Sequence, residues 1–150
     1  MKIRRILKKD VKKLMEITEA IDSNSYNWRL EKSIQESFGN HLFKPTYLLY
    51  EDKGKIFGFI GYSQSRINYR VYELFHARVL PEKQGIGVGT KLVNMAIKEI
   101  KSKRRHKEDD IMIIQTTLKP KYFERFGFKT LTKLKKLSPN GRANLMFLVV

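Results

Sequence analysis

Gln84-Gly-Ile-Gly-Val-Gly-Thr90 decides how this chain folds. Before it runs a strand pattern, Val71 to Leu80, stopped by Pro81, which cannot donate to a sheet ladder. After it, Leu92, Val93, Ala96, Ile97 and Ile100 recur at helical spacing, so a helix is predicted from about Val88 to Arg104. At such a strand-to-helix handover several backbone N–H groups lack intrahelical partners and point along the helix axis. Glycines let an anion approach that backbone, and the helix N-terminus adds partial positive charge, so the segment reads as a phosphate cradle. A plain tight turn is the bland alternative. Two known glycine loops fail on spacing. A P-loop needs Gly-Lys-Ser/Thr, and here Gly89 is followed by Thr90-Lys91. A dinucleotide fingerprint starting at Gly85-x-Gly87 needs glycine where Thr90 stands, and it belongs near the first strand.

Working outward, Lys2 to Ile6 alternates as a short strand, and Asp10 is placed to cap a helix bearing Val11, Leu14, Met15, Ile17 and Ala20 on one face. A turn at Asp22-Ser-Asn-Ser25 leads to a second helix, about Trp28 to Phe38, with Leu30, Ile34 and Phe38 inward and Gly39-Asn40 as its C-cap. Thr46 to Tyr50 and Ile56 to Tyr62 flank a charged turn containing Gly54 and read as a hairpin. Beyond the long helix, Ile111-Met-Ile-Ile114 is a continuous apolar run, as expected of a strand buried on both faces. A short helix from Pro120 to Phe126, closed by Gly127, precedes strands at Lys129–Leu134 and Asn144–Val150. The order βααβββαβαββ predicts one α+β domain over residues 1–150, an α/β/α sandwich on a central mixed, mostly antiparallel sheet.

The spacing Gln84-x-x-Gly87-x-Gly89 matches the Q/R-x-x-G-x-G/A loop of the GNAT superfamily of N-acetyltransferases. The Val79-x-Pro81-Glu-x-Gln84 lead-in resembles that family's fourth strand, and Tyr122-Phe-Glu-Arg-Phe-Gly-Phe128 resembles its helix-turn near the C-terminus. The resemblance covers the whole chain and implies acetyl-CoA as cosubstrate. It implies that Gln84, Gly85, Ile86, Gly87, Val88, Gly89 and Thr90 hold the pyrophosphate. Main-chain groups of Ala77 and Val79 would meet the pantetheine arm, with Val79 N–H the oxyanion donor. Tyr122, Phe123 and Arg125 would border the cofactor, with Lys119, Lys121 and Arg125 as candidates for the 3′-phosphate. The chain departs from the family in two places. Phe123 stands where many members carry the tyrosine that protonates the thiolate, leaving Tyr122, about 100° away on a helix, as the remaining acid. Thr116 and Thr117 replace an asparagine common after the fifth strand.

Acetylation of an amine needs a base to deprotonate it and a donor for the charge that develops on the carbonyl oxygen. On Val71-Tyr-Glu-Leu-Phe-His-Ala-Arg-Val79, Glu73 is the acidic residue, with Tyr72 and Leu74 beside it in sequence, and is the candidate general base. Its position relative to Gln84 is similar to that of the base glutamate in the histone-acetylating branch. The competing reading is a glutamate facing water or paired with Arg70 or Arg78. His76 ranks second. By alternation it shares a face with Leu74 and Arg78 and opposes Glu73, unless a bulge intervenes.

Composition bounds the rest. With 41% hydrophobic residues, the 150-residue chain has enough apolar content for one core. Zero cysteines exclude disulfides and a protein thiolate as nucleophile, and His41, His76 and His106 show no metal-ligand spacing. No apolar run approaches the roughly 20 residues of a membrane span, and the start lacks a signal-peptide pattern, so a cytoplasmic location is expected. Against 15 acidic residues stand 31 Lys and Arg, for a net charge of +16, which predicts anionic partners. The resemblance implies that acetyl-CoA, a polyanion, would account for part of it. A nucleic-acid-binding module is the competing function class, but the basic tail Lys101 to Lys107 carries no aromatic. Other readings are contact with nucleic-acid-bound proteins and a CoA-binding protein of weak activity. The acceptor amine is not encoded legibly; the resemblance points to Tyr26, Trp28, Phe38 and the Ser138–Arg142 turn for its pocket. The chain is expected to be a monomer or homodimer.

Overall fold

The computed structural model describes residues 1–23, 27–138 and 141–150. In order these form β1 (Lys2–Arg5), a 3-10 turn (Lys8–Asp10), α1 (Val11–Ile21), α2 (Asn27–Glu36), β2 (Thr46–Asp52), β3 (Lys55–Gln64) and β4 (Val71–Val79). A second 3-10 turn (Pro81–Lys83), α3 (Val88–Lys101), β5 (Met112–Thr117), α4 (Pro120–Glu124), β6 (Lys129–Ser138) and β7 (Gly141–Val149) complete the chain. The seven strands form one sheet in the order β1-β2-β3-β4-β5-β7-β6, antiparallel except at β4/β5. The βααβββαβαββ order and the α/β/α layering both hold. Part of the Asp22–Ser25 turn, Tyr26 and the centre of the Ser138–Arg142 turn lie outside the described residues.

Alternation along the strands sorts the apolar side chains onto two faces. On one, Leu14, Ile17, Leu30 and Ile34 of α1 and α2 pack over Tyr47, Leu49 and Phe59. On the other, Val88, Leu92, Val93, Ala96 and Ile100 of α3 meet Leu48, Ile60, Tyr62 and Leu74, and Phe123 and Phe128 extend this layer over Ile113 and Met146. Lys53 (φ 48°) and Gly54 (φ 75°) turn the β2/β3 hairpin, two successive left-handed residues as a two-residue loop requires.

Several local expectations are corrected. Asp10 does not cap α1 with its side chain; it accepts from Leu7 N (2.7 Å) and pairs with Arg4 (2.7 Å), closing the 3-10 turn instead. Thr18, its hydroxyl bonded to Leu14 O (2.9 Å), takes the buried place expected of Ala20, which is exposed. Gly39 does not adopt a left-handed cap. The end of α2 unwinds through three successive i→i−3 bonds, from Ser37, Phe38 and Gly39. α3 stops at Lys101 because the basic residues beyond it have no apolar face to bury. β5 is covered on one side only: Ile113 is buried, while Met112 is 39% exposed beside its partner Val149 at 48%.

Candidate active site

At the N-terminus of α3, Gly87 takes φ 89° and Gly85 φ 77°. A Cβ built on either would meet nothing within 4 Å, so both face open space. The unpaired N–H groups of the first helical turn border that space, which therefore suits an anion held by backbone alone. Val88 is 2% exposed and anchors the turn in the core, while Ile86 is 65% exposed on its outer side. Gly89 is needed for a different reason. A Cβ there would stand 2.7 Å from the Tyr122 hydroxyl and 3.6 Å from Val79 Cγ2. The missing side chain brings α4 and the end of β4 up to the helix start. From the residue just after α4, Arg125 Nη2 donates to Thr90 Oγ1 at 3.2 Å, its guanidinium 5.2 Å from the Tyr122 ring centre. Of the three basic residues expected here, Arg125 reaches the α3 N-terminus, while Lys119 and Lys121 are exposed. Gln84 Nε2 donates to Val79 O at 3.1 Å and ties the loop to β4.

The second feature is a parting of strands. β4 pairs with β5 over three rungs only, Val71↔Met112, Tyr72↔Ile113 and Glu73↔Ile114. From Leu74 onward β4 keeps β3 as its neighbour, and a cleft opens toward the glycine loop. Leu80 N donates to Phe57 O on the β3 side (2.9 Å). Strand alternation therefore turns the Val79 peptide groups, and those of exposed Ala77, toward the cleft. Glu73 occupies the last rung before the parting and is half-buried. Arg70, one of the two arginines that could have neutralised it, is held by Asp109 at 2.7 Å.

A bulge does intervene on β4. Phe59 faces Arg78 and Gly61 faces Phe75, so three steps on β4 answer two on β3. His76 sits in this bulge with φ 53°. Its Nδ1 lies 2.9 Å from the Tyr47 hydroxyl, on the face covered by α1 and α2. Phe75 packs on that face too, and Glu73 lies two residues before it on the same side. The expectation that His76 opposes Glu73 is thus overturned: the extra residue swings the imidazole round. Desolvation, helped by Arg78, pushes His76 down to about 4, so the ring is neutral at physiological pH. Burial pushes the Tyr47 hydroxyl well above its ordinary range. Neither Tyr47 nor Ser33, whose Oγ lies 2.8 Å from that hydroxyl, could have been singled out from the sequence, because only folding brings α2, β2 and β4 together.

The two aromatics of α4 separate. Phe123 is 7% exposed and belongs to the α3-side core; Tyr122 alone presents a hydroxyl to the helix start. Among the described residues no group of three or more His, Asp or Glu is placed to hold a metal ion, and no helix is long and apolar enough to cross a membrane.

A strand pair that parts beside a glycine-lined helix N-terminus leaves a cleft suited to an extended anionic ligand, and the mixed sheet around it is the scaffold of a class of acyl-group transferases. A family model described as an acetyltransferase (GNAT) domain matches residues 16–137, and the chain belongs to this family. Among solved structures, a GNAT-family protein from Desulfovibrio desulfuricans is 15% identical, with a TM-score of 0.81 over 98% of this chain and 97% of that one. An aminoglycoside 6′-N-acetyltransferase complexed with coenzyme A is 17% identical, TM-score 0.75, covering 99% and 97%. A ribosomal-protein-alanine N-acetyltransferase from Brucella melitensis is 19% identical, TM-score 0.73, covering 100% of both chains. At such identities the likeness is one of fold. Among curated protein sequences none matches the chain.

Proposed function

We propose that the protein transfers an acetyl group from acetyl-CoA directly to a primary amine. The observation that carries this reading is the cleft that opens at the Glu73–Ile114 rung and runs to the Gly85–Thr90 cradle. When bound, acetyl-CoA supplies an activated acyl group, and everything else is the chain's work. N–H groups from Gly85 to Thr90 bind the pyrophosphate, with Arg125 as side-chain cation. Ala77 and Val79 offer peptide groups along the cleft, and Val79 N–H is the donor for an oxygen that gains charge. Glu73, at the cleft's apex, takes the proton of the amine. Tyr122, whose hydroxyl sits by Val79 and Gly89, is the group able to return a proton at the leaving side.

The test is direct. CoA at about 100 times its Kd should stabilise the fold by roughly 2.7 kcal/mol, seen as a rise in Tm. A Tm unmoved by saturating CoA would sink the reading. Glu73→Gln should lower kcat by about a hundredfold or more while CoA affinity holds. Unchanged kinetics would remove Glu73 from the role.

One observation favours a second reading, a basic nucleic-acid-binding surface. The aromatic that the basic tail of α3 lacks is supplied by the β3–β4 loop. Tyr69 lies with its ring centre 5.3 Å from both the Arg70 and the Arg105 guanidinium. Binding to single strands and duplexes, measured across salt, addresses this. Tight binding that persists at physiological salt would favour a nucleic-acid-binding module over the enzyme.

A further inference from the structure

We propose that His76 Nε2 is the hydrogen-bond acceptor that holds the incoming amine beside Glu73, its tautomer fixed by Tyr47 and Ser33. This rests on the amine-acetylation reading above. A neutral primary amine has two N–H bonds and one lone pair. If Glu73 takes one N–H, a second acceptor on the same face is needed to aim the lone pair at the acyl carbon. Within the stretch of β4 that β5 has released, His76 is the residue turned to that face by the bulge.

The backbone there is costly to form. A non-glycine residue at φ 53° is uncommon, and such strain persists only where the surroundings fix it. Here they do. The Tyr47 ring lies 7° from parallel to the imidazole, and Phe75 meets it edge-on at 5.1 Å. Ser33 Oγ, Tyr47 Oη and His76 Nδ1 form a chain of 2.8 and 2.9 Å links. Ser33 is half-buried on α2, and its Oγ can accept the Tyr47 hydrogen. Tyr47 Oη then accepts Nδ1–H, and Nε2 is left with a bare lone pair. The charged groups that act on this pair are Arg78 on β4 and Glu36 on α2. Because the ring is neutral at physiological pH, Nε2 offers an acceptor without adding a second cation to the face that carries Arg78.

The experiment is nitrogen NMR on histidine-labelled protein, read together with steady-state kinetics on a panel of primary amines. The expected result is the Nδ1–H tautomer of a neutral His76 between pH 5 and 8, lost in Tyr47→Phe. A dominant Nε2–H tautomer, or titration of His76 near its ordinary value of about 6.5, overturns the proposal. His76→Asn, chosen because asparagine tolerates the left-handed conformation, should raise the KM for the amine about tenfold with the KM for acetyl-CoA unchanged. An unchanged amine KM also overturns it, as does a Tm loss with no kinetic effect. Failure of the wild type to acetylate any amine overturns the acetyltransferase reading and this proposal with it, whereas an active wild type whose amine KM is unmoved in His76→Asn overturns this proposal alone.

Discussion

Gly61 and Gly87 are both glycines that the fold needs, and the reasons differ enough to separate stability from binding. At Gly61 a Cβ would fall 2.5 Å from Phe75 Cε2 and 2.7 Å from Tyr47 Cε1, two rings with nowhere to retreat in a packed layer. Gly61→Ala should therefore destabilise the fold by about 1–3 kcal/mol through overpacking, read as a lower urea midpoint at unchanged slope. Retained stability would mean that the Tyr47–Phe75 layer is softer than its contacts imply. At Gly87 there is space for a Cβ, but the residue is left-handed and the space is where the proposed function seats the pyrophosphate. Gly87→Ala should cost only about 1–2 kcal/mol of stability for the left-handed conformation. CoA affinity should fall at least about tenfold, equal to 1.4 kcal/mol. Isothermal titration and thermal melting on the same sample check the pair. Intact CoA affinity would place the phosphates elsewhere.

At the level of elements, β1 and the turn after it are tied to the hairpin by one cation between two carboxylates. Arg4 bonds Asp10 at 2.7 and 3.1 Å and Glu51 at 2.8 Å. The Arg4 guanidinium and the Leu7 N–H hold Asp10 below the usual carboxylate range despite its burial. A depressed folded-state pKa means stability that is present above the unfolded value, near 3.8, and lost as pH falls through the folded one. Asp10→Asn should thus cost about 1–3 kcal/mol at pH 7, and the gap to the wild type should close below pH 4. A gap independent of pH would assign the loss to packing. The order of elements and the glycine-lined start of α3 could be read from the sequence, since both follow from spacing along one chain: period two, period 3.6, and three glycines at a helix start. The bulge could not. Whether His76 faces Glu73 or opposes it depends on how β4 registers against β3, a property of two strands meeting. Asp10 was misassigned for a related reason, since its partner Arg4 competes for the carboxylate only once β1 is in place. Similarly, Tyr69 reaches the basic α3 tail across 36 residues of sequence that carry no shared signal.

For the molecule as a whole, the charge of +16 acts on both substrates with opposite sign. On the proposed reading an anionic cofactor is drawn toward the glycine loop. Part of this field is screened at ordinary salt, where the Debye length is about 8–10 Å. The KM for acetyl-CoA should accordingly rise severalfold, on the order of threefold or more, between 0.05 and 0.3 M salt. A cationic acceptor meets the same field as repulsion, so lysine-rich tails should be poor substrates, while acidic or neutral amines, or proteins embedded in nucleic acid, suit it better. The discriminating measurement is kcat/KM across salt at saturating acetyl-CoA. Screening should raise the rate for a polylysine acceptor and lower it for an amine on an acidic peptide. Polylysine acetylation that instead quickens as salt falls would show that an acidic local surface outweighs the global charge. Glu73, on the last rung before the cleft, and Glu36, beside the Tyr47–His76 pair, would then be the carboxylates to test first.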